Sequence, residues 1–285
     1  MPTKTIFVMG AAGRVGSAVI DALPVGASVR AATQHMRHSK NTDWVRFSLE
    51  DQDTFAQALD GVDAIFLMRP PQIIKGAAFV PFLEAAKARN IRRIVALSVA
   101  GAETNAFLPH HAMEQEVIKL GFDWTMIRPS DFMQNLETVH LQSIRDRDEI
   151  AVPAGQGRSS FIDVVDIGDV IAKVLLQEGH GGKGYTLTGP EALNFSDVAH
   201  ILTEVLGRHI RYRELGALAF LSEHLREGRA LGIGLVMTAL YSAQRFGKAS
   251  TVTDEVKRLL GRPPGDMPTY ATRSRDLWHS KVIKD

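Results

Sequence analysis

Gly10, Gly13 and Gly16, spaced three apart in GAAGRVG, constrain this chain more than any other feature because of what flanks them. Residues 5–9, TIFVM, form a short apolar run before the loop. Helical apolar spacing follows it through Ala18, Val19, Ala22 and Leu23. Such a loop between a strand and a helix predicts a phosphate cradle. Gly10 permits the tight turn, Gly13 the close approach of a pyrophosphate, and Gly16 the packing of helix on sheet. Backbone N–H groups at the helix start then offer an anion site. The competing reading is a structural glycine turn, since the spacing alone recurs in many turns.

The same rhythm continues through the first half. Strands are expected at 27–32, 44–47, 64–68, 93–97 and 124–127, with helices over about 52–59, 75–89 and 109–120 between them. Asp51 is read as an N-cap and Asp60-Gly61 as a helix stop. Short, nearly unbroken apolar strands alternating with helices predict a parallel sheet covered on both faces, wound by right-handed crossovers into a doubly wound α/β fold. Later segments change character. Residues 161–165 are expected as a buried strand, Asp166 as the cap of a helix to Leu176, and residues 185–188 as another strand. Ser196 is expected to cap a helix over 197–206, and the chain beyond Leu215 to be mainly helical. Residues 1–150 are thus expected as the main nucleotide-binding region, and residues 151–285 as a mixed region that completes the core and forms a smaller helix-rich lobe flanking a substrate cleft.

Composition removes several function classes. Without cysteine there are no disulfides, Cys-ligated metals or thiol nucleophiles. Lys and Arg number 33 against 32 Asp and Glu, so net charge gives no case for direct nucleic-acid binding. The opening MPTKTIFVMG lacks a secretory pattern, and LGIGLVMTAL at residues 231–240 is too short to span a bilayer, so it is read as a buried helix. A cytoplasmic protein without membrane contact is expected, as a monomer or a homodimer. No metal site is expected: Glu114, Glu116, His110 and His111 mix helix faces without the H-E-x-x-H arrangement. Asp163 and Asp166 are read as structural.

Cofactor choice turns on the end of the second strand. An acidic residue there would favour NAD, but Ala31-Ala32-Thr33-Gln34 leads into His35, Arg37, His38 and Lys40. A basic cluster suits the extra phosphate of NADP, with Arg the better bidentate partner. NADP(H) is therefore preferred and NAD(H) is the second choice.

The segments GAAGRVG, LDGVDAIFLMRP, ALSVAGAE, HHAMEQEVIKLGFDWTMIRPSDFMQNL, FIDVVDIGDVIAKVL and YTLTGPEALNFSDVAHILTEVLGR together resemble the NmrA-like branch of the atypical short-chain dehydrogenases/reductases, over nearly the whole chain. That resemblance implies a Rossmann fold. It implies pyrophosphate contacts at Ala12, Gly13, Arg14 and Val15, and makes Arg14 and Arg37 candidates for the NADP phosphate. It places Leu49 near the adenine, Met68, Arg69 and Pro70 beside the ribose and pyrophosphate, and Ser98 and Val99 toward the nicotinamide. Ala100, Pro129, Asp131 and Phe132 would line the acceptor site. Relatives commonly carry Gly or an apolar residue near Asp131, which makes this carboxyl particular to the present chain.

The catalytic position departs from the pattern. Short-chain dehydrogenases typically use Tyr with Lys four residues later, and here those positions fall near Ala106 and at His110. Histidine exchanges a proton near neutral pH, so His110 is the candidate proton donor, with Glu114 one turn on along the same face. His111 points about 100° away around the helix. A cofactor-holding or merely local role for His110 is the alternative. The resemblance and the loop together imply an NADPH-dependent oxidoreductase of a small hydrophobic or aromatic organic acceptor, such as a quinone or carbonyl compound. The alternative function is an NADP(H)-sensing regulator of the NmrA type without significant turnover.

Overall fold

The computed structural model describes residues 4–34, 42–228 and 230–279. Along the chain run β1 (Thr5–Val8), α1 (Arg14–Ala22), β2 (Ser28–Thr33), β3 (Asp43–Arg46), α2 (Phe55–Ala58), β4 (Ala64–Met68) and α3 (Val80–Ala88). Next come β5 (Arg93–Leu97), α4 (Pro109–Lys119), β6 (Asp123–Pro129), α5 (Leu141–Arg147), β7 (Glu149–Val152), α6 (Val164–Leu176) and β8 (Lys183–Leu187). The rest is α7 (Phe195–Leu206), β9 (Arg211–Glu214), α8 (Ala217–Arg226), α9 (Leu231–Arg245), α10 (Glu255–Leu260), α11 (Met267–Ser274) and α12 (Asp276–His279).

Two compact units divide this chain. One comprises Met1–Pro129, Val164–Leu187 and Arg258–Gly261; the other comprises Ser130–Asp163, Thr188–Lys257 and the chain from Arg262. The division is interleaved, whereas the sequence drew a single line at residue 150.

The first unit is the expected doubly wound α/β fold, a Rossmann arrangement. Its 7-stranded sheet runs β3-β2-β1-β4-β5-β6-β8, and every pairing is parallel. Val8 stands opposite both Ala31 and Phe66, so the strands end together at one carboxyl edge. Burial on both faces explains the unbroken apolar runs: Ile6, Phe7 and Val8 are each fully buried although neighbours point to opposite faces. On one face Phe7, Phe47, Phe55 and Phe82 form an aromatic cluster with centroids 5.0–5.8 Å apart. Aromatic pairs of this kind add about 0.5–1.5 kcal/mol each beyond area burial. Helices α1 and α6 pack closely against each other, and a Cβ on Gly168 would stand 2.6 Å from the Ala18 carbonyl oxygen.

The second unit is mainly helical, with one small parallel sheet, β7-β9. Met133, Ile150, Phe195, Leu202, Tyr241 and Trp278 belong to its core. Within it Glu149 is almost fully buried and is hydrogen-bonded by Arg211 and Arg213. Burial alone would raise its pKa, but these guanidinium bonds outweigh that and hold it below the ordinary carboxylate value.

Several local expectations need correction. Asp51 makes no side-chain cap; it pairs with Arg46 at 3.3 Å, and the helix behind it is a short 3-10 turn followed by α2. Residues 161–165 are not a strand. Val164 already opens α6, so Asp166 lies inside the first turn instead of preceding it. Asn194, not Ser196, caps α7, in a capping box with Asp197. The segment 231–240 is helical as expected but not buried: Leu231, Ile233, Leu235 and Val236 are each more than half exposed. Among the described residues, no helix is long and apolar enough to cross a membrane.

Candidate active site

Strand order reverses direction between β1 and β4, since β2 and β3 lie to one side and β5, β6 and β8 to the other. Open parallel sheets bind ligands in the crevice outside the carboxyl ends of their strands at such a switch point. The loop after β1 is the glycine loop, and the loop after β4 is Arg69-Pro70-Pro71. Gly10 has φ +66, a conformation that favours glycine, and its N–H-side turn is closed by Gly13 N–H donating to the Gly10 carbonyl at 2.8 Å. A Cβ on Gly10 would overlap Met68 Sδ, so the two loops meet here. A Cβ on Gly16 would collide with the Gly10 carbonyl and stand 2.8 Å from Ala11 Cα. Gly16 therefore lets the helix fold back on its own loop, a more local role than helix-on-sheet packing. Ala12, Gly13 and Arg14 form an exposed lip, with Val15 and Gly16 buried beneath. Gly13, at the N-cap position of α1, provides no side-chain cap. The first N–H groups of α1 thus keep their capacity for an anion.

Arg69 turns back on its own loop. Its Nη1 donates to the carbonyls of Pro70, Pro71 and Ile73 at 3.0, 3.0 and 2.7 Å, and its Nε reaches His110 Nε2 at 3.5 Å. His110 lies in the first turn of α4 and is the acceptor in that contact, because guanidinium carries no lone pair to offer. Burial, then the Arg69 charge, pull its pKa down to about 4, with Glu114 opposing. At neutral pH the imidazole is uncharged. Glu114 itself is buried and spends both oxygens on Arg128, at 3.0 and 2.7 Å, so its influence on His110 is through charge alone. His111 Nδ1 lies 2.7 Å from the Ala102 carbonyl and ties α4 to the turn after β5.

That turn carries the next candidates. Ser98 N–H donates to Ile127 at 2.7 Å and Ala100 N–H to Pro129 at 3.0 Å, which extends the β5–β6 pairing past the strand ends. Val99 and Ala100 are half-buried. Ser98 is buried, and its Oγ has no hydrogen-bond partner among the described residues. An unsatisfied buried hydroxyl costs about 1–3 kcal/mol, and here it stands just past β5, at the carboxyl edge of the sheet. Leu49, after β3, is buried in the aromatic core cluster. Arg37 and its basic neighbours at 35, 38 and 40 lie outside the described residues.

Pro129 ends β6, and the chain passes at Ser130 into the second unit. There the Asp131 carboxyl accepts from Ser159 Oγ and, at 2.6 Å, from Gln244 Nε2, both at Oδ2. Lost hydration raises its pKa, and these two hydrogen bonds only partly offset that. Phe132 forms a bridge with Ile162. Sequence reasoning named Asp131 but missed Ser159 and Gln244, which lie 28 and 113 residues away. It also missed the Glu114–Arg128 pair. No local pattern carries either arrangement.

The sequence matches the NmrA-like family over residues 2–258. The chain belongs to the NmrA-like family. Within reach of this family, an NAD(P)H azoreductase of Xenophilus azovorans is 30% identical over 287 residues, covering 93% of this chain and 96% of that one. Two solved structures share the fold. One is an NADPH-dependent quinone oxidoreductase from Escherichia coli in complex with NADPH, with TM-score 0.85, 21% identity and coverage of 95% and 99%. The other is a triphenylmethane reductase of Citrobacter sp. complexed with NADP(H), with TM-score 0.83, 19% identity and the same coverage.

Proposed function

We propose that this NmrA-like protein is an oxidoreductase that binds NADPH at the carboxyl edge of the sheet and reduces a small, planar organic acceptor. One observation carries the reading: the glycine loop and the Met68 loop meet at the switch point of a fully parallel sheet. The residues there fit a nicotinamide dinucleotide. Ala12, Gly13, Arg14 and Val15 offer backbone N–H groups and the α1 terminus to the pyrophosphate. Gly10 and Gly16 keep that loop tight, and Met68, Arg69 and Pro70 flank it. Ser98 Oγ, buried without a partner, suits an amide-bearing ring because a hydroxyl both donates and accepts. Leu49 offers an apolar contact for the adenine, and Arg14 and Arg37 are the candidate partners of the NADP phosphate. When bound, the reduced cofactor supplies a hydride.

The protein's own work is to align and exclude water. Neutral His110 holds the Arg69 guanidinium, which in turn pins the loop over residues 70–73. This favours a positioning role over proton donation, since a group titrating near 4 is deprotonated at neutral pH. Val99, Ala100 and Pro129 provide apolar contact for the acceptor, with Asp131 and Phe132 just beyond in the chain. Azo and triphenylmethane dyes and quinones, the compounds named for its relatives, are the acceptors to try first. The test is acceptor-dependent loss of NADPH fluorescence across that panel. Turnover with at least one acceptor supports the reading. Tight NADPH binding without any turnover overturns it in favour of a cofactor-sensing regulator.

A further inference from the structure

Helix α9 is seated on one side and bare on the other. Gly234, Met237, Tyr241 and Gln244 are buried and recur every three or four residues, which defines its inner face. Close contacts fix that face. A Cβ on Gly234 would stand 2.8 Å from Leu221 Cδ1 and His224 Cδ2 of α8, and a Cβ on Gly157 would overlap the Gln244 backbone. Tyr241 packs edge-on against Phe195 and Phe220. The outer face is apolar as well: Leu231, Ile233, Leu235 and Val236 are each more than half exposed. From Leu231 to Gln244 the sequence holds no charged residue. A surface helix ordinarily turns charged and polar side chains to solvent, and one that is apolar all round is covered.

The bare face continues beyond α9. Leu218, Leu221 and Leu225 recur at helical spacing on α8, and Leu221 meets α9 at Gly234, so this stripe runs beside it. Leu218 and, just past the end of α9, Phe246 are also more than half exposed. At about 150–200 Å² for each residue fully exposed, these six leave roughly 700 Å² of apolar surface bare.

We infer that this face is the interface of a homodimer, in which α9 packs antiparallel on the α9 of a second copy about a two-fold axis. The inference does not depend on the reductase reading. An apolar patch of about 700 Å² exceeds the few hundred Å² that monomers leave bare. Closed on its own copy, it buries about 1,400 Å² in total, within the range of stable interfaces.

The face also fits itself. At about 100° per residue, Leu231 and Leu235 lie along one border, and Ile233, Val236 and Leu240 along the other. Between the borders run Gly232, Ala239 and Ala243, whose small side chains let a second helix come close. A two-fold axis sets each border against the same border of the second copy. Any charge near that axis would face its like, so an uncharged helix is what self-pairing requires. A lipid surface suits this face less well. Helices that lie on bilayers turn a basic side to water, whereas the opposite side of α9 is buried in the protein.

Sedimentation equilibrium of the full chain at micromolar concentration should give twice the monomer mass. Leu235→Glu should raise the dissociation constant about 10²-fold or more, because two carboxylates would meet across the axis, and should leave the circular dichroism unchanged. Leu235→Lys should do the same, and mixing the two variants should restore a dimer. Because the chain has no cysteine, Ala239→Cys supplies a single thiol, through which a short bis-maleimide should join two copies. Val25→Cys, fully exposed in the first unit, should stay unjoined under the same conditions. A wild type that is monomeric up to high micromolar concentration overturns the inference, and its flotation with lipid vesicles would assign the face to lipid instead. A dimer that survives both Leu235 variants overturns it too, as does equal cross-linking at Val25 and Ala239. Should the Leu235 variants fail to fold, the cross-linking comparison decides alone.

Discussion

His110 shows how a single side chain changes meaning once its neighbours are known. In sequence it stands where the family's catalytic lysine would fall, and imidazole is the one side chain that titrates near neutrality. In three dimensions it faces Arg69, and burial with that charge lowers its pKa to about 4. The expected outcome is that His110→Ala weakens NADPH binding several-fold by freeing Arg69, whereas His110→Gln, which keeps an acceptor, retains most of it. Titration of the two variants with NADPH checks this, and an unchanged affinity with collapsed turnover would restore His110 as the proton donor. The same shift has a sign for stability. A folded pKa below the unfolded value near 6.5 means that the unfolded chain binds the proton more readily. His110 therefore costs nothing above about pH 6.5, and folding stability falls as pH drops from there through about 4, by about 3 kcal/mol at most. Urea unfolding of wild type and His110→Gln at pH 7 and pH 4 should show the smaller acid loss in the variant.

At the scale of elements, legibility followed burial. β4 and β5 are found at 64–68 and 93–97 as read, because a strand buried on both faces is an unbroken apolar run with breakers at each end. β7 was invisible, since it begins with Glu149, a charge that only Arg211 and Arg213, more than sixty residues later, make tolerable inside the protein. Residues 161–165 read as a strand because Phe, Ile and Val favour strands, but α6 claims Val164 and turns Val165 out to solvent. Glycines show the same division. The loop glycines announced themselves by spacing, while Gly168 and Gly157 matter through contacts with remote backbone. Gly168→Ala should push α1 and α6 apart and destabilise the fold by about 1–3 kcal/mol, measured by chemical denaturation. Gly16→Ala should displace the Gly10 carbonyl and remove dinucleotide binding even where the protein remains folded, measured by titration calorimetry.

For the molecule as a whole, the family, the parallel sheet and the place of the glycine loop at its carboxyl edge were legible because strand–loop–helix order is written locally. On the reading proposed, cofactor preference would combine the loop, the end of β2 and the basic residues that follow it in sequence. Titration with all four cofactor forms should show tighter binding of NADP(H) than of NAD(H), and Arg37→Ala should erase the difference selectively. Equal affinities in the wild type would reject the assignment. That later segments complete the core was expected, but the places where the chain leaves and rejoins the first unit were not legible, since nothing local marks Ser130 and Val164 as boundaries. That interleaving has a consequence for synthesis. A ribosome that has released β6 has produced six strands of the sheet but neither α6, which lies against α1, nor the edge strand β8, and the end of α10 at Arg258–Gly261 comes last. The nascent chain must hold an uncovered apolar face through the making of the entire segment from Ser130 to Asp163, so the early fragment is a client for chaperones and the finished protein cannot be cut into an autonomous cofactor-binding half at any single bond.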